Sequence, residues 1–311
     1  MTSAHHDHGL PPPYVEEVGP GVFAYVQPDG SWWINNTGFV AGSRTIVSVD
    51  TCSTEQRTRE YLATVERVAG SAPRILVNTH HHGDHTNGNC LVPFATVIGH
   101  HRCREEILAT GILRPEGLFE PVEWGELAPD PPFVTFAERL DLFVDDVKIE
   151  LIHLTDAAHT TNDVVAWIPE HRILFSGDLV FNGGTPFVVM GSVAGSLEAL
   201  ALLRALDPAV IVPGHGAPGG PELLETPVAY LRWLQDGAQR AFEAGLPPLE
   251  AARQLDLSPF AELLDPERLA GNLHRAYAEI GGTPPGAPID LLLAFGDMVT
   301  LNGGRPLRCR A

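Results

Sequence analysis

The segment 79–85 combines residue types that bind metals with a spacing that lets them act together. It reads Thr-His-His-His-Gly-Asp-His, so four of the chain's 14 histidines fall within six positions, with a carboxylate among them. Imidazole nitrogens and carboxylate oxygens suit zinc and similar divalent metals. An apolar run, 74–78, precedes the segment and predicts a strand that ends at this loop. The pattern therefore indicates a metal site rather than a histidine tag, which would have no strand before it.

Three further candidate ligands occur later in the chain, each just after an apolar run that reads as a strand. They are His159, Asp178 and His215. One such residue by itself is more often a core or surface polar group. Strand ends, however, gather at one edge of a sheet, where a rigid scaffold can bring several side chains together. The ordered set therefore indicates one shared site.

The elements that must position these side chains read as strands alternating with helices. The runs 22–27 and 31–40 flank an Asp-Gly pair, which predicts a hairpin. A helix capped by Ser53 or Thr54 and stopped by Gly70 leads to the strand before the histidine cluster. This alternation predicts an α/β fold.

The order of the candidate ligands resembles that of the metallo-β-lactamase superfamily. That family has a His-x-His-x-Asp-His motif, then a lone histidine, an aspartate after a strand, and a histidine in a Gly-His-Gly turn. The matching elements here are residues 80–85, His159, Asp178 and His215. The resemblance covers about 20–220 and implies a four-layer αββα sandwich, to which this chain adds a helical C-terminal extension.

The resemblance also implies two divalent metal ions, with zinc as the default and iron or manganese as alternatives. In this assignment Asp178 bridges both ions, and the other ligands are His80, His82 and His159 for one ion and Asp84, His85 and His215 for the other. Such a pair activates water near neutral pH, so the base is either that water or the catalytic carboxylate of Asp84. True β-lactamases lack the aspartate bridge, so antibiotic hydrolysis is not expected.

Aromatic residues near the ligands are candidates for a substrate pocket. Trp32 and Trp33 lie at the predicted hairpin tip, and one of them could instead pack in the core. Phe181 and Phe187 follow the aspartate ligand in an apolar, glycine-broken stretch. The proline-rich segment 111–133 is predicted to be irregular and is a candidate lid.

Several features resemble one branch of the superfamily, the cyclases of actinomycete aromatic polyketide pathways of the actinorhodin second-ring kind. They are the Trp-Trp-Ile-Asn-Asn hairpin, His100-His101, the sequence around His159 and the tail 302–307. This branch implies aldol closure of a second ring and hydrolysis of an acyl carrier protein thioester, in antibiotic biosynthesis. The alternatives are a general metallohydrolase of small esters, lactones or glutathione thioesters, and a binding protein without metal.

The composition and net charge of the chain limit the classes of partner that we expect. The net charge of −19 argues against nucleic acid, and no apolar run reaches the roughly 18 residues of a membrane span. Without a signal-like N-terminus or paired cysteine motifs, we expect a cytoplasmic protein. The expected partner is a small-molecule or carrier-bound polyketide substrate, and a homo-oligomer is left open.

The 311 residues are predicted to divide into three parts. Residues 1–13 are expected to form a disordered tail, and 14–220 the catalytic domain. Residues 221–311 read as helices packed on the same domain, and their role as pocket wall, carrier-docking surface or subunit contact stays open.

Overall fold

Two β-sheets form the centre of the computed structural model, which describes residues 9–311. The first sheet contains β1 (Tyr14–Gly19), β2 (Val22–Val26), β3 (Thr37–Ala41), β4 (Ile46–Val49), β5 (Ile75–Val77), β6 (Thr96–His100) and β7 (Val134–Phe136), in that order. The second contains β8 (Arg139–Val144), β9 (Val147–His153), β10 (Val164–Ile168), β11 (Ile173–Phe181) and β12 (Val210–His215), also as sequential neighbours.

Helices cover the outer faces of both sheets. They are α1 (Glu55–Ala69), α2 (Gly83–Thr86), α3 (His101–Thr110), α4 (Val193–Ala205), α5 (Glu225–Glu243), α6 (Pro248–Gln254), α7 (Arg268–Ile280) and α8 (Leu291–Leu301). Helix α1 packs on the first sheet, and α4 to α8 share a hydrophobic cluster with the second. The predicted four-layer αββα sandwich is confirmed.

The alternation of apolar side chains places the two sheets face to face. In β10, Val164, Ala166 and Ile168 point into the cluster between the sheets, whereas Val165 and Trp167 point toward the helices. Full burial of one such aliphatic side chain stabilises the fold by roughly 1.5–3 kcal/mol. A slip of one residue would exchange the two faces, so this pattern fixes the register.

The predicted helix that follows β4 is confirmed at both ends. The Thr54 side chain accepts a hydrogen bond from the amide of Arg57 at 3.3 Å, which caps α1. Gly70 ends the helix in the left-handed conformation, with φ of 80°. These local signals can be read from the sequence because each needs only neighbouring residues.

Parallel pairing brings the candidate ligands to one edge of the sandwich. Strands β4, β5, β6 and β7 run parallel to one another, as do β11 and β12, so their carboxyl ends lie on one side. Asp178 lies inside β11, where the register with β12 shifts, rather than after the strand. Gly214 of β12 passes so close to it that a Cβ there would collide with the Asp178 carboxylate.

The predicted strand 31–40 is wrong in its first half. Only Thr37–Ala41 pairs as a strand, and 27–36 form a loop. Buried amides take the place of ladder hydrogen bonds: Gln27 Nε2 donates to the Asn35 carbonyl at 2.7 Å, and Asn36 Nδ2 donates to the Pro213 carbonyl at 2.9 Å. The loop is thereby tied to the end of β12, beside the candidate site.

The N-terminal tail prediction falls mostly outside the described residues, which exclude 1–8, and 9–13 have no regular secondary structure. The segment 111–133 is irregular as predicted, with no helix or strand between α3 and β7. The domain division at residue 220 stays a prediction. Within residues 9–311, no helix has both the length and the apolar character to cross a membrane.

Candidate metal centre

Three histidine nitrogens converge at the first half of the site. His82 Nδ1 lies 3.1 Å from His80 Nε2 and 2.8 Å from His159 Nε2. Asp178 Oδ2 lies 3.4 Å from His159 Nε2 and 3.9 Å from His80 Nε2. His80 and His82 come from the loop after β5, and His159 from the loop after β9, so both sheets contribute.

The second half of the site lies beside the first and shares one carboxylate with it. His215 Nε2 lies 3.3 Å from Asp84 Oδ2 and 3.4 Å from Asp178 Oδ2. His85 Nε2 lies 3.1 Å from Asp178 Oδ1 and 3.8 Å from Asp84 Oδ2. Asp178 therefore belongs to both groups, as the family resemblance implies.

Outer hydrogen bonds decide which nitrogen of each ring faces inward. His85 Nδ1 lies 2.8 Å from Asp50 Oδ2, and an ionised carboxylate only accepts. Thr79 Oγ1 donates to the same oxygen at 2.7 Å, which leaves it to accept from His80 Nδ1 at 3.0 Å. Both rings thus hold a proton on Nδ1, and Nε2 is the nitrogen of each ring that would bind a metal, which at a charged His85 first displaces a proton.

Two backbone carbonyls orient the rings of His159 and His215 in the same way. His159 Nδ1 donates to the Phe187 carbonyl at 2.5 Å, and His215 Nδ1 faces the Gly30 carbonyl at 3.2 Å. A carbonyl accepts only, so these rings also present Nε2 to the centre. His82 is the exception, since its Nδ1 faces inward and its Nε2 is buried without a hydrogen-bond partner.

This donor set fits divalent metal ions. His82 Nδ1 lies 3.1 Å from His80 Nε2 and 2.8 Å from His159 Nε2, and because it can carry only one proton it cannot donate fully to both. Asp178 Oδ1 and His85 Nε2 are buried and make no well-aligned hydrogen bond. Buried polar atoms without partners are costly, and a cation in each group would satisfy these. Nitrogen and oxygen donors suit zinc, manganese or iron.

A match to a known family agrees with this geometry. A family model described as "Metallo-beta-lactamase superfamily" matches residues 30–215, more than half of the chain. The chain belongs to the metallo-beta-lactamase superfamily.

Curated relatives in the superfamily differ in the reactions for which they are named. The linear primary-alkylsulfatase of a Pseudomonas species is 23% identical over 69% of this chain and 48% of its own length. The alpha subunit of 2,4-dinitroanisole O-demethylase from a Nocardioides species is 28% identical over 57% of this chain and 51% of its own length. A hydroxyacylglutathione hydrolase from a Polaromonas species is 32% identical over 48% of this chain and 51% of its own length. The chain thus spans about half the length of these relatives.

Solved structures of the superfamily share the fold. A metallo-beta-lactamase from Pontibacter korlensis superposes with a TM-score of 0.59 at 20% identity, over 71% of this chain and 99% of that one. The DIM-1 metallo-beta-lactamase superposes with a TM-score of 0.57 at 21% identity, over 72% of this chain and 98% of that one. The alignments leave more than a quarter of this chain unmatched.

The charges of the metal-free site complement a cation. Burial, followed by the charge of His85, lowers the pKa of His80 well below its ordinary value, so this ring is neutral and able to bind. Burial would raise the pKa of Asp178, but the imidazoles of His215 and His85 hold it well below its usual range. Against the effect of burial, carboxylates led by Asp178 raise the pKa of His215 to about 9. Metal binding would therefore displace protons here.

His81 lies outside both ligand groups, although it stands between two candidate ligands in the sequence. Its Nδ1 accepts a hydrogen bond from Asn162 Nδ2 at 3.0 Å. Burial lowers its pKa to about 4. In the His-x-His-x-Asp-His motif His81 occupies a spacer position, which agrees with its place outside the ligand groups.

Sequence reasoning gave no role to Asp50, which is 2% exposed and orients the site from outside. Its Oδ1 accepts from the Thr79 amide at 2.7 Å, and its Oδ2 accepts from His85 and the Thr79 hydroxyl. Asp50 follows the apolar strand β4, so it carries the same signal as the predicted ligands. Nothing in the sequence distinguishes the Gly30 and Phe187 carbonyls, because every residue has a main-chain carbonyl.

A cavity of about 240 Å³ opens onto the ligands His82, Asp84, His159, Asp178 and His215. Its other walls are mainly apolar and include all four predicted pocket residues. They are Trp32, Trp33, Phe181 and Phe187, together with Leu113, Pro115, Leu118, Phe119, Met190, Leu291, Leu292 and Phe295. The 111–133 segment and α8 therefore both contribute walls.

Trp32 is both a core residue and a cavity wall. Its indole nitrogen donates to Glu267 Oε1 at 2.8 Å, and its amide donates to Asp265 Oδ2 at 3.0 Å. The guanidinium of Arg268 lies 3.9 Å from the ring centroid and also pairs with Asp265, at 2.9 Å. Residues more than 230 positions away thus hold the loop 27–36 over the site.

A second histidine cluster lies outside the ligand groups. The rings of His100 and His153 stack with centroids 4.1 Å apart, and His101 lies 4.2 Å from His100. Burial first, and then these two rings, lower the pKa of His100 to about 3. The cluster therefore makes folding sensitive to acid.

We expect His100→Gln to reduce the loss of stability of the metal-free protein on acidification. Between pH 6.5 and 3 the unfolded chain binds a proton at His100 that the folded chain excludes, so this residue destabilises the fold as the pH falls. The measurement is the urea midpoint at pH 7.5 and at pH 5. His171→Gln, in the turn between β10 and β11, serves as control. Equal losses in wild type and His100→Gln would refute the prediction.

Proposed function

We propose that this chain is a dinuclear metallohydrolase that cleaves the ester or thioester of a small molecule with a bulky apolar group. The observation that carries this proposal is the arrangement of the two ligand groups, which share Asp178 and open into an apolar cavity. This is a narrower form of the metallohydrolase alternative of the sequence analysis, and the relatives named hydroxyacylglutathione hydrolase support the hydrolase class.

When bound, a pair of divalent ions supplies Lewis acidity and activates water near neutral pH. The chain's own residues orient the substrate and assist proton transfer. Asp84 lines the cavity, and although burial opposes it, His85 and His215 keep its pKa low. We assign it to accept a proton as the reaction proceeds. The aromatic walls exclude bulk water, which strengthens electrostatic interactions within the site.

The cavity wall favours an apolar group over a charged one. Arg268 is the one Lys or Arg among its lining residues, and its charge is already paired with Asp265. A glutathione moiety carries carboxylates that would need such a cation. The name of the alkylsulfatase relative, which specifies a linear primary alkyl group, agrees with an apolar substrate.

The aromatic character of the cavity favours one second candidate. Trp32, Phe119, Phe187 and Phe295 contact one another in edge or tilted geometries and could hold a fused-ring substrate. A cyclase and thioesterase acting on a carrier-bound aromatic polyketide would use such a wall. The curated relatives named above give no support to this branch, which rests on the sequence resemblance.

A matched set of thioesters tests the proposal. The metal-loaded protein is assayed with acetyl, octanoyl and naphthoyl thioesters of N-acetylcysteamine and with S-lactoylglutathione. We expect kcat/KM to rise by roughly tenfold or more from acetyl to the bulky acyl groups, since one methylene in an apolar pocket contributes about 1–3 kcal/mol. Preference for S-lactoylglutathione would contradict the apolar assignment. A cyclised product from a bicyclic polyketide thioester would favour the second candidate.

Phe295→Ala should raise KM for the octanoyl and naphthoyl thioesters by about tenfold or more, with little change in kcat. Phe295 of α8 lines the cavity away from the ligands, so truncation removes apolar contact with the bound acyl group. The acetyl thioester should be almost unaffected. Phe94→Ala is the control, because Phe94 is 86% exposed and lies outside the cavity. A lowered kcat with unchanged KM would contradict this role.

A further inference from the structure

The segment that carries Phe187 has a buried backbone without regular secondary structure. Residues 185–189 lie between β11 and α4, are all buried, and belong to neither strand nor helix. Buried peptide groups need hydrogen-bond partners, because an unpaired one costs about as much as a lost hydrogen bond. Most of the partners here are side chains of α7, in the C-terminal region.

Helix α7 presents three polar side chains on one face. Arg268, Asn272 and Arg275 are spaced by four and three positions, which aligns them, and each is at most 1% exposed. Arg268 Nη1 donates to the Thr185 carbonyl at 2.9 Å. Arg275 Nε and Nη2 donate to the Val189 carbonyl at 3.0 and 2.8 Å. The two arginines thus hold both ends of the segment.

Asn272 holds the centre of the segment 185–189. Its Nδ2 donates to the Pro186 carbonyl at 2.7 Å, and its Oδ1 accepts from the Val188 amide at 3.0 Å. These are the main-chain groups on either side of Phe187. With both neighbours held, the Phe187 carbonyl is directed at His159, whose Nδ1 donates to it at 2.5 Å.

We propose that Asn272 is a positioning residue of the metal centre. By holding the peptide groups on both sides of Phe187, it directs that carbonyl at His159 and fixes the ring in the tautomer whose Nε2 is free for a metal. The inference rests on the proposed function for the role of the metal. Loss of the outer partner of a metal-binding histidine typically costs about 10–100-fold in metal affinity.

Two substitutions test this role. Asn272→Asp keeps the size and the acceptor oxygen but removes the donor to Pro186, and the neighbouring arginines can balance its charge. Asn272→Leu removes both hydrogen bonds at similar volume. In the metal-free protein, ¹H–¹⁵N correlation spectra of the imidazole rings should show a single Nδ1–H tautomer of His159 in wild type and a mixture in the Leu variant.

The second readout is stepwise zinc affinity, measured by competition with a chelating dye. We expect one of the two affinities to fall about 10–100-fold in the Asn272 variants, with the other unchanged. Leu273→Ala is the control, because Leu273 is the next residue of α7, is fully buried, and packs in the same hydrophobic cluster. It should lower the thermal midpoint while leaving the tautomer and both affinities as in wild type.

Wild-type tautomer and affinities in both Asn272 variants would overturn the inference and leave the proposed function intact. The same losses in Leu273→Ala would also overturn it, since they would then follow from destabilisation of α7. A wild-type chain that bound no zinc would instead refute the proposed function, and the tautomer comparison would still decide the inference.

Discussion

Asp178→Asn should remove at least one of the two bound metal ions and lower kcat/KM for thioester hydrolysis by about 10³-fold. Asp178 belongs to both ligand groups and is 7% exposed. The amide loses the negative charge between two cations and replaces one acceptor oxygen with a donor. A Lewis-acidic ion contributes several kcal/mol of transition-state stabilisation, and a loss of about 4 kcal/mol corresponds to 10³-fold in rate. Elemental analysis after dialysis and steady-state kinetics measure both effects.

The matched control is Asp145→Asn. Asp145 lies in the exposed turn after β8, has φ of 52°, and accepts hydrogen bonds from Ser43. Asparagine tolerates that left-handed conformation, so metal content and turnover should stay at wild-type values. Two ions per chain and near-normal turnover in Asp178→Asn would refute the bridging role.

The ligand set could be predicted because most candidate ligands are side chains that follow an apolar strand, although Asp178 lies inside β11. The strand before His80 is β5, and the strand that ends at His215 is β12; both were visible as short apolar runs. Parallel pairing within each sheet then brings these ends to one edge. The structure brings all seven predicted ligands together, in the two groups that the resemblance implies.

The outer shell of the site was less accessible to sequence reasoning. Asp50 could have been found, since it follows the apolar strand β4 as the ligands follow theirs. The carbonyls of Gly30 and Phe187 could not, because every residue has one. Their direction depends on how the loops around them are held, which is a property of tertiary contacts.

The misassigned strand 31–40 illustrates the same limit. Trp32, Trp33 and Ile34 have high β propensity and follow a turn signal, so local rules favour a hairpin. The actual conformation is set by partners far along the chain, among them Asp265 and Glu267. Non-local hydrogen bonds to buried groups outweigh a local propensity of about 1 kcal/mol or less.

The C-terminal region matters more to the site than its late position suggests. The sequence predicts helices there and leaves their role open between pocket wall, carrier-docking surface and subunit contact. In the structure α8 contributes Leu291, Leu292 and Phe295 to the cavity wall, and α7 hydrogen-bonds the segment that carries Phe187. The cavity wall and the contacts around Phe187 thus both involve residues beyond the family match, which ends at 215.

Chelation should abolish hydrolysis completely, and added zinc should restore it. The chain's nucleophile is expected to be water activated at the ligands, so removal of metal leaves no alternative route. A ligand that binds only the folded state at 1,000 times its Kd stabilises it by about 4 kcal/mol. With an unfolding entropy of about 2.1 cal/mol/K per residue over 311 residues, loss of each ion should lower Tm by roughly 6 °C.

Thermal unfolding and turnover of the same chelated sample separate the two roles of the metal. A folded, inactive protein with a lowered Tm that recovers both properties with zinc is the expected result. The Asp178→Asn variant should show a smaller change in Tm on chelation, because it has less bound metal to lose. Full turnover in a sample with less than about a tenth of an ion per chain would reject metal-dependent hydrolysis, since bound metal is what lowers the pKa of water toward neutrality.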